Sequence, residues 1–289
     1  MVAGWYELAT VTAGRRPAGW RPVLPGVMSV VLTGDVHHAI GNADQAFTDR
    51  SEAALAVEYA TIAARHGLKV TLFLTGLAVI EDGADMCALR EMAGVEIGGH
   101  GWNAFTPRLW HGLLNRLLGS PHGPAWLQQR MIRRTTTTLA RWAGRPIRSW
   151  RNHAYRHDRH TARLLAAAGI GAWSDEVNPD RRGPYRHPDG VVTVPINTIP
   201  DHEYLRHGAW PRESATLQWG GPVYDADDWC RRVSAQVVDI VSAGGVATVL
   251  AHPLCMSIVD NWATFDRLCA VLAQYPSQHA QDAAYACAS

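Results

Sequence analysis

Apolar residues run almost unbroken through Met28 to Leu32, Leu68 to Leu74, Ile147 to Trp150, Ile170 to Trp173, Val191 to Thr198 and Val246 to Ala251, with a shorter run at Val95 to Gly99. Short, continuous, β-branched runs of this kind predict strands covered on both faces. Between them the period changes to that of a helix. Leu55, Tyr59 and Ile62 recur at i, i+4 and i+7 behind a capping Ser51, and His66-Gly67 ends the segment. Further helices are predicted over 84–92, 125–142, 159–168 (stopped by Gly169), 225–243 (closed by Gly244-Gly245) and 261–274. The stretch from Trp102 to Gly123 reads as loop with short helical turns at Leu114 to Leu118. Asp175 to Gly190 reads as surface loop, and so does Pro200 to Pro222, which carries Asp201, His202, Glu203 and Trp210. Strands alternating with amphipathic helices indicate an α/β fold, a parallel sheet covered by helices. About seven strands could close into an irregular barrel or remain open. No repeat or linker interrupts the chain, so one domain over 1–289 is expected, with its core at about 27–275.

What changes the picture is the residue at the end of each strand. The first delivers Asp35-Val-His-His38, the third His100, the fourth Arg151 and the last His252. In α/β folds the carboxyl edge of the sheet is where ligands gather, so these groups are expected to share one site. In extended chain, residues i and i+2 face the same side; Asp35 and His37 then point together and His38 points away. Histidine nitrogen with carboxylate oxygen suits a divalent metal, zinc above all, with cobalt or nickel as alternatives, and an open position on that metal activates water. One member of the Asp35/His37 pair can bind metal while the other accepts a proton. His100 is a second ligand, and His252 an acid for a leaving group. Arg151 would keep the Asp35 carboxyl ionised, since a neighbouring cation lowers a carboxylate pKa.

Composition narrows the classes. The 289 residues are 47% hydrophobic and 18% charged, with a formal net charge of +1 and Lys69 the only lysine. Balanced charge without a basic block argues against nucleic acid. Fourteen histidines and twelve tryptophans are the unusual counts. Five cysteines (Cys87, Cys230, Cys255, Cys269, Cys287) without CxxC spacing argue against a disulfide framework or a cysteine-type zinc site, and Cys255 is read as buried and inert. The N-terminus lacks a basic region followed by an apolar run, and no stretch approaches the roughly 20 apolar residues of a membrane span. A cytoplasmic protein is the expectation.

In order and spacing, these motifs resemble the polysaccharide deacetylase family of metal-dependent carbohydrate esterases, together with amidohydrolases of the same fold. The resemblance runs from about Met28 to His252. Leu32-Thr-Gly-Asp-Val-His37 is similar to the family's opening strand, Glu96-Ile-Gly-Gly-His-Gly-Trp-Asn-Ala104 to its second motif, Arg151-Asn-His-Ala-Tyr-Arg156 to its third, and Leu250-Ala-His252-Pro253 to its last. It implies an irregular (β/α) barrel of about seven parallel strands with outer helices. It also implies Asp35 as general base, His252 as general acid, Arg151 as electrostatic tuner and Asp175 as the carboxylate behind the acid. An oxyanion donor is implied at a backbone amide near Tyr155. The departures are specific: Ala104 replaces the family's second metal histidine, His37 its metal carboxylate, and His153 the proline of the third motif. His37, His100 and His38 are the candidate metal ligands, with His111, His153, Asp201 or His202 as other replacements for the missing one. Trp102, Asn103, His153, Tyr155, Asp201 and His202 are the candidate substrate contacts. The implied activity is removal of an N-acetyl or other N-acyl group from an amino sugar or related amide. Hydrolysis of a small cyclic amide or ureide is one alternative, and a catalytically silent carbohydrate-binding or scaffold protein with a decayed metal site is the other.

Overall fold

The computed structural model describes residues 28–209 and 224–288; the start of the chain, Trp210 and the rest of the loop to Pro222 lie outside them. The elements in chain order are β1 (Ser29–Val36), α1 (Glu52–Arg65), β2 (Val70–Leu74), α2 (Gly76–Asp82), β3 (Val95–Gly99), α3 (Arg108–Leu118) and α4 (Ala125–Ala143). There follow β4 (Ser149–Trp150), α5 (Thr161–Ala167), β5 (Ala172–Trp173), β6 (Tyr185–Arg186), β7 (Val192–Thr193), α6 (Asp201–Tyr204), α7 (Ala226–Ser242), β8 (Val246–Leu250), α8 (Pro253–Asp260), α9 (Ala263–Leu272) and α10 (Ala280–Ala288). Short 3-10 turns lie at Asp44–Phe47, Cys87–Arg90 and His153–Tyr155. Among the described residues no helix is long and apolar enough to cross a membrane.

One sheet holds all the strands, in the order β6-β7-β5-β4-β3-β2-β1-β8. Every pairing is parallel except β6 with β7. The expected (β/α) barrel of about seven parallel strands is there, seven of the eight strands among the described residues being parallel; the one correction is β6, expected as loop, which adds an antiparallel edge. The ladder does not close between β7 and β8. Asn197 spans the gap with its side-chain amide, donating to Val246 O (2.9 Å) and accepting from Thr248 N (2.8 Å), as a facing peptide would. Thr198 Oγ1 adds a bond to Thr248 O (3.1 Å).

Side chains alternate between the helices outside and the barrel within. Outward-facing Val30, Leu32, Leu72 and Leu74 are fully buried against the helical layer. Inward positions carry Val31, Thr33 and Asp35 on β1 and Thr71 and Phe73 on β2, continued by Arg151, Ser174 and Thr248. The closed end is plugged by α10, whose Ala280 and Ala283 pack on Val31, Phe73 and Val246. That helix lies beyond the core expected to end near residue 275. Alanine suits it, since a small side chain lets the helix approach the strand ends.

Other elements differ from the pattern for local reasons. The helix expected over 84–92 instead starts at Gly76, where Thr75 Oγ1 accepts from Ala78 N (3.3 Å), and only the 3-10 turn at Cys87–Arg90 remains of the later segment. Residues 108–118 form a full helix where turns were expected; Gly119, at φ +68°, ends it. Its leucines mislead because Leu109, Leu113, Leu117 and Leu118 stay exposed. The short α6 falls in a segment expected to be loop, and α8 in one for which no element was expected.

Candidate active site

The floor of the site is built by Arg151. The residue is fully buried, and its guanidinium lies over the Phe73 ring, 4.5 Å from the centroid. It donates to Asp35 Oδ1 (2.9 Å), Thr33 Oγ1 (3.0 Å), Ser174 Oγ (2.8 Å) and Ser174 O (3.0 Å). Asp35, 3% exposed, feels opposing effects. Burial would raise its pKa, but Arg151, followed by His100 and His252, outweighs burial and holds the carboxyl well below the usual range. The other oxygen, Oδ2, faces His252 Nε2 at 3.5 Å and His100 Nε2 at 3.8 Å. Asp35 thus stands between two clusters, each presenting an imidazole to it.

The first cluster is His37, His100 and His153. His37 Nε2 lies 3.1 Å from His100 Nε2 and 3.0 Å from His153 Nδ1. His100 leaves the end of β3, where the preceding Gly99 is required: a Cβ there would stand 2.3 Å from the Trp150 ring. His153 is presented by a turn in which Ala154 and Tyr155 both take left-handed backbone (φ +52° and +58°), a strained arrangement for residues with side chains. Asp175 anchors that turn by accepting from Asn152 N and Nδ2, both at 2.7 Å.

The hydrogen bonds behind the rings decide their charge. His100 Nδ1 donates to Arg151 O (2.9 Å), and His37 Nδ1 lies against Glu52 Oε2 (2.9 Å). With its Nδ1–H engaged, a neutral His100 turns the Nε2 lone pair toward His37 Nε2, 3.1 Å away. Ring nitrogens this close need a shared proton or a metal ion between them. Burial, outweighing Asp35, pushes His100 down to about 3. Burial, with His37 and His100, also drives His153 well below its ordinary value. In a tetrahedral zinc shell, nitrogens at the usual bond length are roughly 3.3 Å apart. The donor set therefore fits a divalent cation held by three imidazole nitrogens, with Glu52 orienting His37 from behind.

The second cluster is His252 with Asp201. Asp201, fully buried in α6, accepts from His252 N (2.5 Å) and pairs with His252 Nδ1 (2.7 Å). Burial would strip the proton from His252, but Asp201 and then Asp35 raise its pKa well above the ordinary value. The shift favours the imidazolium form, and Nε2 of His252 faces Asp35 Oδ2. Beside it, burial pushes Glu203 up to about 7, and the Tyr155 hydroxyl hydrogen-bonds its carboxyl.

Asp35, His37, His100, Arg151 and His252 thus meet at one place. Other predicted residues are placed differently. His38 faces away, as the i+2 rule requires, with Nδ1 at 3.2 Å from Thr75 Oγ1 and Nε2 at 3.4 Å from Thr106 Oγ1; His153 supplies the third nitrogen. Asp175 does not back His252. Asp201 does, and its burial removes it from the substrate contacts. Tyr155 N donates within its own turn to Asn152 O (2.9 Å), so the oxyanion donor expected there is already engaged. His111 is held by Pro121 O and Asn103, away from the triad. Asn103 also bonds Thr106 O. Trp102 is buried beneath Arg134, whose guanidinium lies 3.6 Å above its ring, and packs on Gly76. Asn103, Phe105 and His153 line a cavity of about 140 Å³ beside His100, with Trp102 and Ala104 in its wall. His202 turns to Cys255 and Asp44. Glu52 was not anticipated at all; an acid in the first turn of a capped helix ordinarily complements the helix dipole.

The described residues thus form an eight-stranded (β/α) partial barrel with a histidine-lined hollow at the carboxyl edge of its sheet. The fold matches a protein assigned as a polysaccharide deacetylase from Mycobacterium smegmatis (TM-score 0.63, 16% identity, 86% of each chain). It also matches one so assigned from Pseudomonas aeruginosa (0.61, 13%, 89% of each) and an allantoinase (0.60, 14%, 92% of each). At these identities the likeness is one of fold. No protein-family model and no curated protein matches the sequence.

Proposed function

We propose that the protein is a metal-dependent hydrolase of N-acyl bonds, removing an acyl group from an amino sugar or related amide. The observation that carries this reading is the juxtaposition of the His37, His100 and His153 ring nitrogens, the Asp35 carboxyl and the Asp201-paired His252 around one hollow. The fold shared with deacetylases and an allantoinase supports it. A divalent cation on His37, His100 and His153 would polarise the acyl carbonyl and acidify the attacking water, which lets so weak a base as Asp35 take its proton.

In the hydrolysis, the water oxygen bonds to the acyl carbon and Asp35 Oδ2 accepts the water's proton. The carbon–nitrogen bond then breaks. His252 Nε2 gives its proton to the departing nitrogen, and Asp201 stabilises the imidazolium until that moment. Arg151 keeps Asp35 ionised before the reaction and orients it through Oδ1. The products are a carboxylic acid and a free amine.

A small amide or ureide is favoured over a sugar polymer by the depth of the site, since His100 is 1% exposed and the adjoining cavity is small. The test is acid release from N-acetylated amino sugars and from small cyclic amides, using chelated protein supplied with zinc, cobalt or nickel. Asp35→Asn should lower kcat by roughly 10²–10⁴-fold, the usual worth of a positioned base, with unchanged circular dichroism. Full activity in that variant, or no amide hydrolysed with any of these metals, overturns the proposal.

A further inference from the structure

Behind His252, on the side away from the three-histidine cluster, lies another group of metal-capable side chains. Asp44 comes from the 3-10 turn after β1, His202 from α6, His207 from the segment following it, and Cys255 from the first turn of α8. Cys255 Sγ is 3.6 Å from His202 Nδ1. Asp44 Oδ2 is 3.9 Å from His202 Nδ1 and 3.7 Å from His207 Nε2. The sulfur and the two nitrogens all lie within 4.8 Å of one another. Asp44, His207 and Cys255 are buried.

These spacings have a chemical meaning. With zinc–sulfur bonds of about 2.3 Å and zinc–nitrogen or –oxygen bonds of about 2.0–2.2 Å, the edges of a tetrahedral shell measure roughly 3.3–3.7 Å. Cys255 to His202 (3.6 Å) already has that length, and Asp44 to His207 (3.7 Å) and to His202 (3.9 Å) are within about half an ångström of it; the remaining separations, up to 4.8 Å, close by side-chain rotation. His207 is oriented for the task, because its Nδ1 lies 2.6 Å from Leu205 O and turns Nε2 toward Asp44. A carbonyl bonded to the far nitrogen is the usual support of a ligating histidine. Cys255 also lies near Asp201 and His252, but those two already satisfy each other.

We propose that Asp44, His202, His207 and Cys255 form a second divalent-cation site, of the zinc class, with one sulfur, two nitrogen and one oxygen donor. A thiolate in the set separates it chemically from the three-histidine cluster and favours zinc or cobalt over magnesium or calcium. Its four donors come from three segments, so a bound ion would tie α6, which carries Asp201, to the start of α8, which follows His252. The site would act on structure, and it does not depend on the hydrolase reading.

Full-length protein, stripped with chelator and reloaded with cobalt(II), should retain two equivalents after desalting and show a thiolate-to-cobalt charge-transfer band in the near ultraviolet. Cys255→Ser should lose the band and one equivalent, and His207→Gln, a second variant should the first fail to fold, should do the same. His153→Ala should keep the band and lose the other equivalent. One equivalent with the band supports this site and counts against a cation at His37, His100 and His153. Absence of the band from the wild type, or its persistence in Cys255→Ser, overturns the proposal whatever the amidase assay shows.

Discussion

Replacing Glu52 by glutamine exchanges one oxygen for nitrogen, yet the surroundings resist even that. Glu52 Oε2 accepts from His37 N (2.8 Å) and pairs with His37 Nδ1 (2.9 Å), while Oε1 accepts from Gln45 Nε2 (2.8 Å). A glutamine must keep its oxygen on the His37 side, which sets its NH₂ against the NH₂ of Gln45. Flipping Gln45 does not relieve this, since its Nε2 also donates to His38 O and its Oε1 accepts from Gly41 N. One donor is left unsatisfied, at about 1 kcal/mol for a partly solvated site, the low end of the usual range. The larger effect is on the cation. Without the carboxylate charge the His37 N–H is no longer held firmly at Nδ1, and losing such outer support costs roughly 10–100-fold in affinity, or about 1.4–2.7 kcal/mol. Zinc titration against a competing chelator reads the affinity, and urea unfolding of the metal-free protein reads the stability. Wild-type affinity in Glu52→Gln, with the fold intact, would refute the claim that Glu52 sets the His37 tautomer.

Other consequences are as direct. Asp201→Asn removes the charge that chiefly raises His252, so the basic limb of the kcat profile should move to lower pH. The sign follows from linkage: a raised histidine stabilises the fold fully below its unfolded value of about 6.5, and that stabilisation fades as pH rises through the folded value. In the variant the fade should be smaller and finish at lower pH in thermal melts. His38→Ala should cost about 1 kcal/mol from its lost threonine bonds and leave metal content unchanged by elemental analysis; a lost equivalent would return His38 to the ligands. Gly99→Ala drives a methyl into the Trp150 ring, and calorimetry should show a loss of about 1–3 kcal/mol or more from overpacking.

The chain's hydrophobic pattern made the strands and their chemical tips readable, because a strand buried on both faces must be apolar until it reaches the edge, where Asp35, His100, Arg151 and His252 stand out. What stayed hidden depended on contacts distant in sequence. Asp175 and Asp201 both follow strands on the same side of the barrel, and only the packing shows which one meets His252. His153 reaches the triad because Ala154 and Tyr155 adopt a backbone conformation their side chains do not advertise. Cys255 is buried as expected, but its neighbours His202 and Asp44 stand about 50 and 210 positions away in the chain, so no local spacing could announce the group. Alanine-rich α10 carries too weak a periodicity to declare itself.

The join made by Asn197 has a mechanical consequence. Elsewhere the wall is held by repeated main-chain pairing, but between β7 and β8 much of the connection rests on one carboxamide and a neighbouring hydroxyl. Four residues beyond Asn197 the chain delivers Asp201; two beyond the end of β8 it delivers His252. His252 and Asp201 therefore stand on opposite banks of this seam in the wall, and their mutual bonds fasten it at the rim.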